Sequence, residues 1–168
     1  LCVKEQKLKN SKNKRKIIKS KPKGEIMETL LKELSDKIEV NLTEEQISKF
    51  IIYKELLKEW NQKINLTAIT EDNEIVLKHF VDSLTVLKYI HQNANIIDVG
   101  TGAGFPGIPT KIARKDVSVT LLDSLNKRIN FLNDVIENTN LENIKTVHGR
   151  AEDFGQNKEY RERYDIAV

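Results

Sequence analysis

The chain reads Ile-Ile-Asp-Val-Gly-Thr-Gly-Ala-Gly-Phe-Pro-Gly over residues 96–107, an apolar segment that leads through an acid into closely spaced glycines. Gly100, Gly102 and Gly104 can adopt positive φ, and they leave no side chain between the backbone and a ligand. A helix that begins just after such a turn has free backbone amides at its start. The stretch therefore predicts a ligand-binding corner between a strand and a helix.

The residues after position 93 alternate between strand and helix patterns. Short β-branched runs predict the strands, and apolar side chains at helical spacing predict the helices. The predicted strands are 95–99, 117–122, 144–147 and 164–168, and the predicted helices are 107–114 and 126–138. Such alternation is typical of parallel βαβ units with right-handed crossovers. The predicted fold class is therefore α/β with a Rossmann-like sheet.

The residues before position 93 show helical spacing instead. Thr43 and Gln46 predict a capping box at the start of an amphipathic helix. Residues 61–70 predict a loop, and the apolar residues of 75–87 mark a further helix. We therefore predict a helical N-terminal section at 27–92 and a Rossmann-like cofactor-binding domain at 93–168. Because the chain ends at the fourth predicted strand, we expect this sheet to be incomplete.

The formal net charge of +3 hides an uneven distribution of charged residues. Residues 1–26 hold ten basic and two acidic residues, so the rest of the chain is net acidic. We expect this lysine-rich leader to be disordered, because it has too few apolar side chains to fold, or to be non-native, because the chain begins with Leu and its only methionine, Met27, lies where the helical spacing starts. In the second case we expect translation to start at Met27. A nucleic-acid-binding arm is the alternative interpretation.

Composition also limits the classes of protein to consider. The sequence has no run of about 18 apolar residues that could span a membrane and no secretory signal. Cys2 is the only cysteine, so the sequence has neither a disulfide framework nor the Cys/His spacing of a zinc site. We expect a soluble cytoplasmic protein without a bound metal.

Two classes of ligand fit the glycine pattern. Gly100-x-Gly102-x-Gly104 fits the motif of S-adenosylmethionine-dependent methyltransferases, and Gly102-x-Gly104-x-x-Gly107 fits the dinucleotide fingerprint. Asp98 favours the first, because a carboxylate can bind the amino group of a methionyl moiety but would repel a pyrophosphate. The alternative for Asp98 is that it only caps the turn.

Acids and small residues follow the second and third strands. Asp123 can accept the hydroxyls of an adenosine ribose, or it can cap the helix predicted from residue 126. Ala151 permits close approach of an adenine, and Glu152 can bind the edge of the base. The alternative for Glu152 is a simple acidic helix start. His79 lies among apolar residues, so we expect it to pack or hydrogen-bond rather than catalyse.

Five motifs, taken in order, resemble those of one family, the bacterial 16S ribosomal RNA guanine-N7 methyltransferase G family, also called glucose-inhibited division protein B. The resemblance covers residues 27–168 and leaves out the leader. The motifs are Asn-Gln-Lys-Ile-Asn-Leu-Thr at 61–67, His-Phe-Val-Asp-Ser-Leu at 79–84, the glycine stretch at 98–107, Asp-Ser-Leu-Asn-Lys-Arg at 123–128, and Gly-Arg-Ala-Glu at 149–152.

The resemblance implies a class I methyltransferase fold in which Gly100, Phe105, Ala151 and Glu152 bind S-adenosylmethionine. It implies methyl transfer to N7 of a guanine in 16S ribosomal RNA, free or in the small-subunit particle, by a protein that we expect to be a monomer. It identifies no catalytic residue in this chain. Our candidate phosphate contacts are Lys54, Lys58, Lys63, Lys127 and Arg128.

Three other interpretations stay open at this point. The protein could methylate another RNA or another base atom. It could be a nicotinamide-dependent oxidoreductase that uses the glycine turn, against which Asp98 and the pair Phe105-Pro106 argue. It could also be an inactive fragment whose basic leader binds nucleic acid.

Overall fold

The computed structural model describes residues 23–168, which form a helical N-terminal section followed by a parallel sheet flanked by helices. Most of the predicted leader lies outside the described residues. Residues 23–26, which the sequence assigned to the leader, begin helix α1 (Lys23–Lys37). Among the described residues, no helix is both long enough and apolar enough to cross a membrane.

Helix α2 (Glu44–Ile64) begins at the predicted capping box. The amide of Gln46 donates to Oγ1 of Thr43 over 3.2 Å, and the amide of Thr43 donates to Oε1 of Gln46 over 2.8 Å. The helix buries one apolar face, which includes Phe50, Tyr53 and Leu57, and it ends at Asn65 in the left-handed region. The amphipathic pattern of the sequence therefore identified this helix correctly.

Residues 72–89 are helical, but they do not form the single α-helix that their apolar spacing predicted. Helix α3 (Asp72–Ile75) continues into a π-helical turn (Val76–Val81), then into α4 (Asp82–Leu84) and a 3₁₀ segment (Thr85–Tyr89). Over so short a stretch, the spacing of apolar residues does not distinguish α from π hydrogen bonding. Turns of the π type occur frequently at functional sites.

The remaining helices are α5 (Gly107–Ala113), α6 (Asn126–Thr139) and α7 (Ala151–Gln156). They alternate with β1 (Asn95–Val99), β2 (Ser118–Asp123), β3 (Ile144–His148) and β4 (Ile166–Ala167). In the described part of the chain the strands form one parallel sheet in the order β3-β2-β1-β4. The α/β, Rossmann-like prediction is confirmed.

The strand order positions the glycine stretch. The chain crosses from β1 to β2 and β3 on one side, and β4 pairs on the other side of β1. The end of β1 is therefore the point where the strand order reverses, and ligands of open α/β sheets bind at the carboxyl ends of the strands at such a point. The glycine turn lies there.

The helical section and the sheet share one hydrophobic core. Phe50 and Phe80 have ring centroids 4.9 Å apart, and Tyr53 extends this cluster to Phe131 of α6 at 6.3 Å. A buried amide adds a polar link, because Nε2 of Gln46 donates to the last two carbonyls of α5, at 3.0 Å each. The domain division at residue 93 stays a prediction.

Candidate functional site

The glycine turn after β1 has the predicted left-handed backbone. Gly100, Gly102 and Gly104 have φ values of 73°, 61° and 95°. A Cβ at Gly104 would lie 2.6 Å from Cδ1 of Ile108 and 2.9 Å from the hydroxyl of Tyr53, so only glycine fits there. At Gly100 a Cβ would meet no atom within 4 Å, and this residue is exposed. The turn is therefore packed at Gly104 and open at Gly100.

Asp98, the last buried residue of β1, holds this turn. Its Oδ2 accepts the hydroxyl of Thr101 at 2.7 Å and the amide of Gly107, the first residue of α5, at 2.8 Å. Burial raises the pKa of Asp98 to about 6, although the bonds from Thr101 and Gly107 oppose the shift. These contacts match the turn-capping alternative, and a ligand-binding role for this carboxylate stays a prediction.

This shift makes stability depend on pH. Because the pKa in the folded state, about 6, exceeds the ordinary value of 3.8, folding favours the protonated acid, and that contribution is lost as pH rises from about 4 to about 6. The asparagine of Asp98→Asn cannot ionise. As pH rises from 4 to 7, we therefore expect the free energy of unfolding of this variant to increase by about 2 kcal/mol relative to that of wild type. Urea unfolding of both proteins across this range measures the difference. Parallel stability curves would contradict the prediction.

Asp123, the last residue of β2, is also buried, and it links the turn to α6. Oδ2 accepts the amide of Gly102 at 2.9 Å and Nη1 of Arg128 at 3.3 Å, while Oδ1 accepts the amide of Leu125 at 2.8 Å. The carboxylate does not cap α6 itself, whose N-cap residue is Leu125. A carboxylate has about four acceptor positions, so these three donors leave one lone pair of Oδ1 without a donor in this structure.

The predicted adenine-binding residues lie at the same edge of the sheet. Ala151 and Glu152 begin α7 and are exposed. The amide of Gly149 donates to the carbonyl of Asp123 over 3.0 Å, which fixes the end of β3 against the end of β2. The amide of Gly100 donates to the carbonyl of Leu122 over 2.8 Å and fixes the glycine turn there as well. The predicted site residues thus lie at or just after the carboxyl ends of three neighbouring strands: Asp98, Gly100, Gly102, Gly104 and Phe105 at β1, Asp123 at β2, and Ala151 and Glu152 after β3.

Two side chains of the helical section reach this turn, and sequence reasoning assigned neither of them a role in the site. The hydroxyl of Tyr53 donates to the carbonyl of Ala103, and burial raises its pKa well above the ordinary value. The imidazole of His79 stacks on Phe105, with ring centroids 4.4 Å apart and planes 12° apart. A tyrosine on the apolar face of a helix predicts a buried hydroxyl that needs a hydrogen-bond partner. The sequence alone does not predict which residue is that partner.

The candidate phosphate contacts have different surroundings. Lys54 is only 4% exposed and pairs with Glu55 at 2.9 Å and Asp72 at 3.3 Å. Its proposed contact with RNA is therefore wrong, because the amine is buried and already paired. Lys58 also pairs with Asp72, and the exposed Lys63 pairs with Glu59 at 2.8 Å.

Two further candidates lie at the start of α6. Lys127 is exposed there, whereas Arg128 is paired with Asp123. Lys127 thus keeps an exposed amine at the edge that carries the glycine turn.

Over residues 23–168, no group of three or more histidine, cysteine, aspartate or glutamate side chains could hold a metal ion.

Fold and site together define a Rossmann-like α/β protein whose binding edge is built from a glycine turn after β1 and an acid at the end of β2. Within this class, the chain belongs to the family described as rRNA small subunit methyltransferase G, whose model matches residues 46–168.

Relatives named ribosomal RNA small subunit methyltransferase G are similar over most of this chain. The protein of Clostridium perfringens (strain 13 / Type A) is 57% identical over 141 residues, which cover 83% of this chain and 59% of that protein. The protein of Desulforamulus reducens is 59% identical over 140 residues, with shares of 82% and 58%. The chain therefore spans about three fifths of the length of the curated relatives it matches.

Solved structures show weaker likenesses. A Plasmodium falciparum protein described as a protein-L-isoaspartate O-methyltransferase, in complex with S-adenosyl-L-homocysteine, has a TM-score of 0.47 and 17% identity. The match covers 80% of this chain and 66% of that one. Coclaurine N-methyltransferase, bound to N-methylheliamine and S-adenosyl-L-homocysteine, has a TM-score of 0.40 and 13% identity, with shares of 76% and 46%.

Proposed function

We propose that the full-length protein transfers the methyl group of S-adenosylmethionine to N7 of a guanine in 16S ribosomal RNA. The match of residues 46–168 to the small-subunit methyltransferase G family carries this proposal. The substrate is naked RNA or the small-subunit particle. We further propose that the protein acts in the cytoplasm as a monomer.

The edge of the sheet suits an adenosyl and methionyl ligand. Gly100, Ala151 and Glu152 are exposed there, and Asp123 keeps one acceptor position for a ribose hydroxyl. Val99 and Leu125, at the ends of β1 and just after β2, are 41% and 52% exposed and offer apolar surface to a nucleoside. Glycines at 100 and 102 keep the turn free of side chains beside that surface.

The proposed reaction needs alignment more than acid–base chemistry. Guanine N7 carries a lone pair and no proton, so its methylation requires no general base. When bound, S-adenosylmethionine supplies an already activated methyl group. The residues of this chain then have to hold both reactants in line and exclude water, and such positioning can contribute about 7–11 kcal/mol. This explains why the site needs no catalytic triad.

One contact argues against a nicotinamide-dependent oxidoreductase. In dinucleotide-binding folds the pyrophosphate lies at the N-terminus of the helix after the glycine turn. Here the first amide of that helix, from Gly107, is already bonded to the carboxylate of Asp98. A pyrophosphate at this position would meet a negative charge instead of a free donor.

We expect S-adenosylhomocysteine, and not NAD, to stabilise the full-length protein. At one hundred times its dissociation constant, a ligand that binds only the folded state adds about 2.7 kcal/mol, which thermal unfolding detects readily. Mass spectrometry of 16S ribosomal RNA from a deletion strain tests the reaction itself. Loss of one N7-methylguanosine, restored by the full-length gene, is the expected result. Retention of every methyl mark would refute the proposed reaction. Loss of a methyl group from another atom would favour the alternative in which the protein methylates a different base atom.

A further inference from the structure

His79 connects the helical section to the glycine turn. Its ring stacks nearly parallel on Phe105, the residue that follows Gly104, at a centroid distance of 4.4 Å. One ring nitrogen, Nε2, lies 2.8 Å from the hydroxyl of Thr67. The imidazole is thus fixed both across its face and at its edge, a stricter arrangement than packing alone requires.

Thr67 is itself held by the loop after α2. Its amide donates to Oδ1 of Asn61 over 2.8 Å, and its hydroxyl oxygen accepts the amide of Ile69 at 3.1 Å. Asn61 and Thr67 belong to the first family-like motif, and His79 belongs to the second. Both motifs precede the first strand in the sequence. A continuous series of contacts therefore runs from the end of α2 through Thr67 and His79 to Phe105.

The backbone and charge state of His79 fit this arrangement. The residue lies in the π-helical turn Val76–Val81, whose neighbours Phe80 and Val81 are buried in the core. Burial lowers the pKa of His79, against the opposing effect of Asp82 and of the Lys78 backbone. This shift favours the neutral imidazole.

We propose that His79 is a positioning residue of the methyl transfer: held by Thr67, it fixes the ring of Phe105 and thereby one wall of the corner where donor and guanine meet. This inference rests on the proposed function. Phe105 also contacts Tyr53 and Phe80, at 5.5 Å and 6.2 Å between centroids. These partners meet the ring at tilts of 33° and 48°, so His79 provides its flat face contact.

The test measures methyl transfer by the full-length protein to 16S ribosomal RNA that lacks the mark. Because a misplacement of about 1 Å can cost about 100-fold in rate, we expect His79→Ala to lower kcat by about 10-fold to 100-fold. We expect KM for RNA and the calorimetric Kd for S-adenosylhomocysteine to change less than about threefold, since Phe105 keeps its contacts with Tyr53 and Phe80 and stays in the site.

Companion variants separate positioning from other roles. His79→Phe keeps a flat ring on Phe105 but loses the bond to Thr67, so its kcat should lie about threefold to tenfold below wild type and above that of His79→Ala. Thr67→Val keeps the side-chain shape, removes the hydroxyl and should lower kcat by about threefold to tenfold. His91→Ala is the matched control, because the exposed ring of His91 bonds to the carbonyl of Gln92 and the substitution keeps the backbone carbonyl that accepts Nη2 of Arg114; its kinetics should equal those of wild type.

The outcomes distinguish this inference from the proposed function. Unchanged kcat in His79→Ala, equal loss in His79→Phe and His79→Ala, or a loss of donor binding that matches the loss of rate would each overturn the positioning role while the wild type remains active. If His79→Ala does not fold, an unchanged kcat in Thr67→Val overturns it. A wild-type protein that transfers no methyl group overturns both the proposed function and this inference.

Discussion

Gly107→Ala is expected to destabilise the protein by about 3 kcal/mol, toward the upper end of what overpacking of a core costs. A Cβ at this position would overlap Cδ2 of Leu121 and lie 2.7 Å from Oδ2 and 3.2 Å from Cβ of Asp98. Leu121 and Asp98 are buried and directly paired in register on neighbouring strands, so both side chains would have to shift inside the packed core.

The same substitution should also abolish donor binding. To make room, the start of α5 must move away from β1, which breaks the bond from the Gly107 amide to Asp98 and releases the glycine turn. Urea unfolding measures the stability, and calorimetry with S-adenosylhomocysteine on the full-length protein measures the binding. Gly155→Ala is the matched control, because a Cβ there meets nothing within 4 Å. It should be neutral or add up to about 1 kcal/mol of stability. Equal stability of the two variants would contradict the packing argument.

The parts of the fold that the sequence predicted well depend on local signals. The strand at 95–99 has the predicted bounds, and Thr43 and Gln46 form the capping box that their spacing indicates. The predicted strand at 117–122 lies one residue further along, so Asp123 completes β2. Local patterns identify such elements because the spacing of apolar residues within one segment reflects which face of that strand or helix is buried.

The contacts between distant segments could not be predicted in this way. The bond from Tyr53 to Ala103 and the stack of His79 on Phe105 each join residues far apart in the chain. Lys54 shows the same limit. Its helical position suggested an exposed cation, but tertiary packing buries the amine beside Asp72. The spacing of apolar residues predicts which face of a helix is buried. The segment that packs against that face depends on the whole fold.

The two acids of the site, Asp98 and Asp123, have contacts that their motifs predicted only in part. The sequence predicted that Asp98 and Asp123 bind the donor, with turn capping and helix capping as alternatives. In the structure both carboxylates bond to the glycine turn or the next helix, Asp98 to Gly107 and Asp123 to Gly102. A motif acid can therefore shape a binding corner through backbone bonds, and only a measurement of ligand affinity separates this role from direct contact.

Asp123 permits that measurement. Asp123→Ala removes the acceptor of three donors, the amides of Gly102 and Leu125 and the guanidinium of Arg128. We expect a loss of about 3 kcal/mol in the free energy of unfolding, since hydrogen bonds to a buried charge are lost and their donors are left unpaired. Asp123→Asn keeps one oxygen acceptor in the same shape, so its loss should be only about 1 kcal/mol.

The asparagine variant then separates folding from donor binding. If Asp123 accepts a ribose hydroxyl, as we propose, the weaker acceptor and the altered pairing should reduce affinity for S-adenosylhomocysteine at least about tenfold, because hydrogen bonds to charged groups contribute about 1.5–3 kcal/mol. Arg128→Gln is the matched control, because it breaks the same ion pair from the other side and leaves the carboxylate in place. Its affinity should stay close to that of wild type. If calorimetry on the full-length protein gives Asp123→Asn and Arg128→Gln equal, wild-type affinity, Asp123 acts only by shaping the corner, and the proposed ribose contact is wrong.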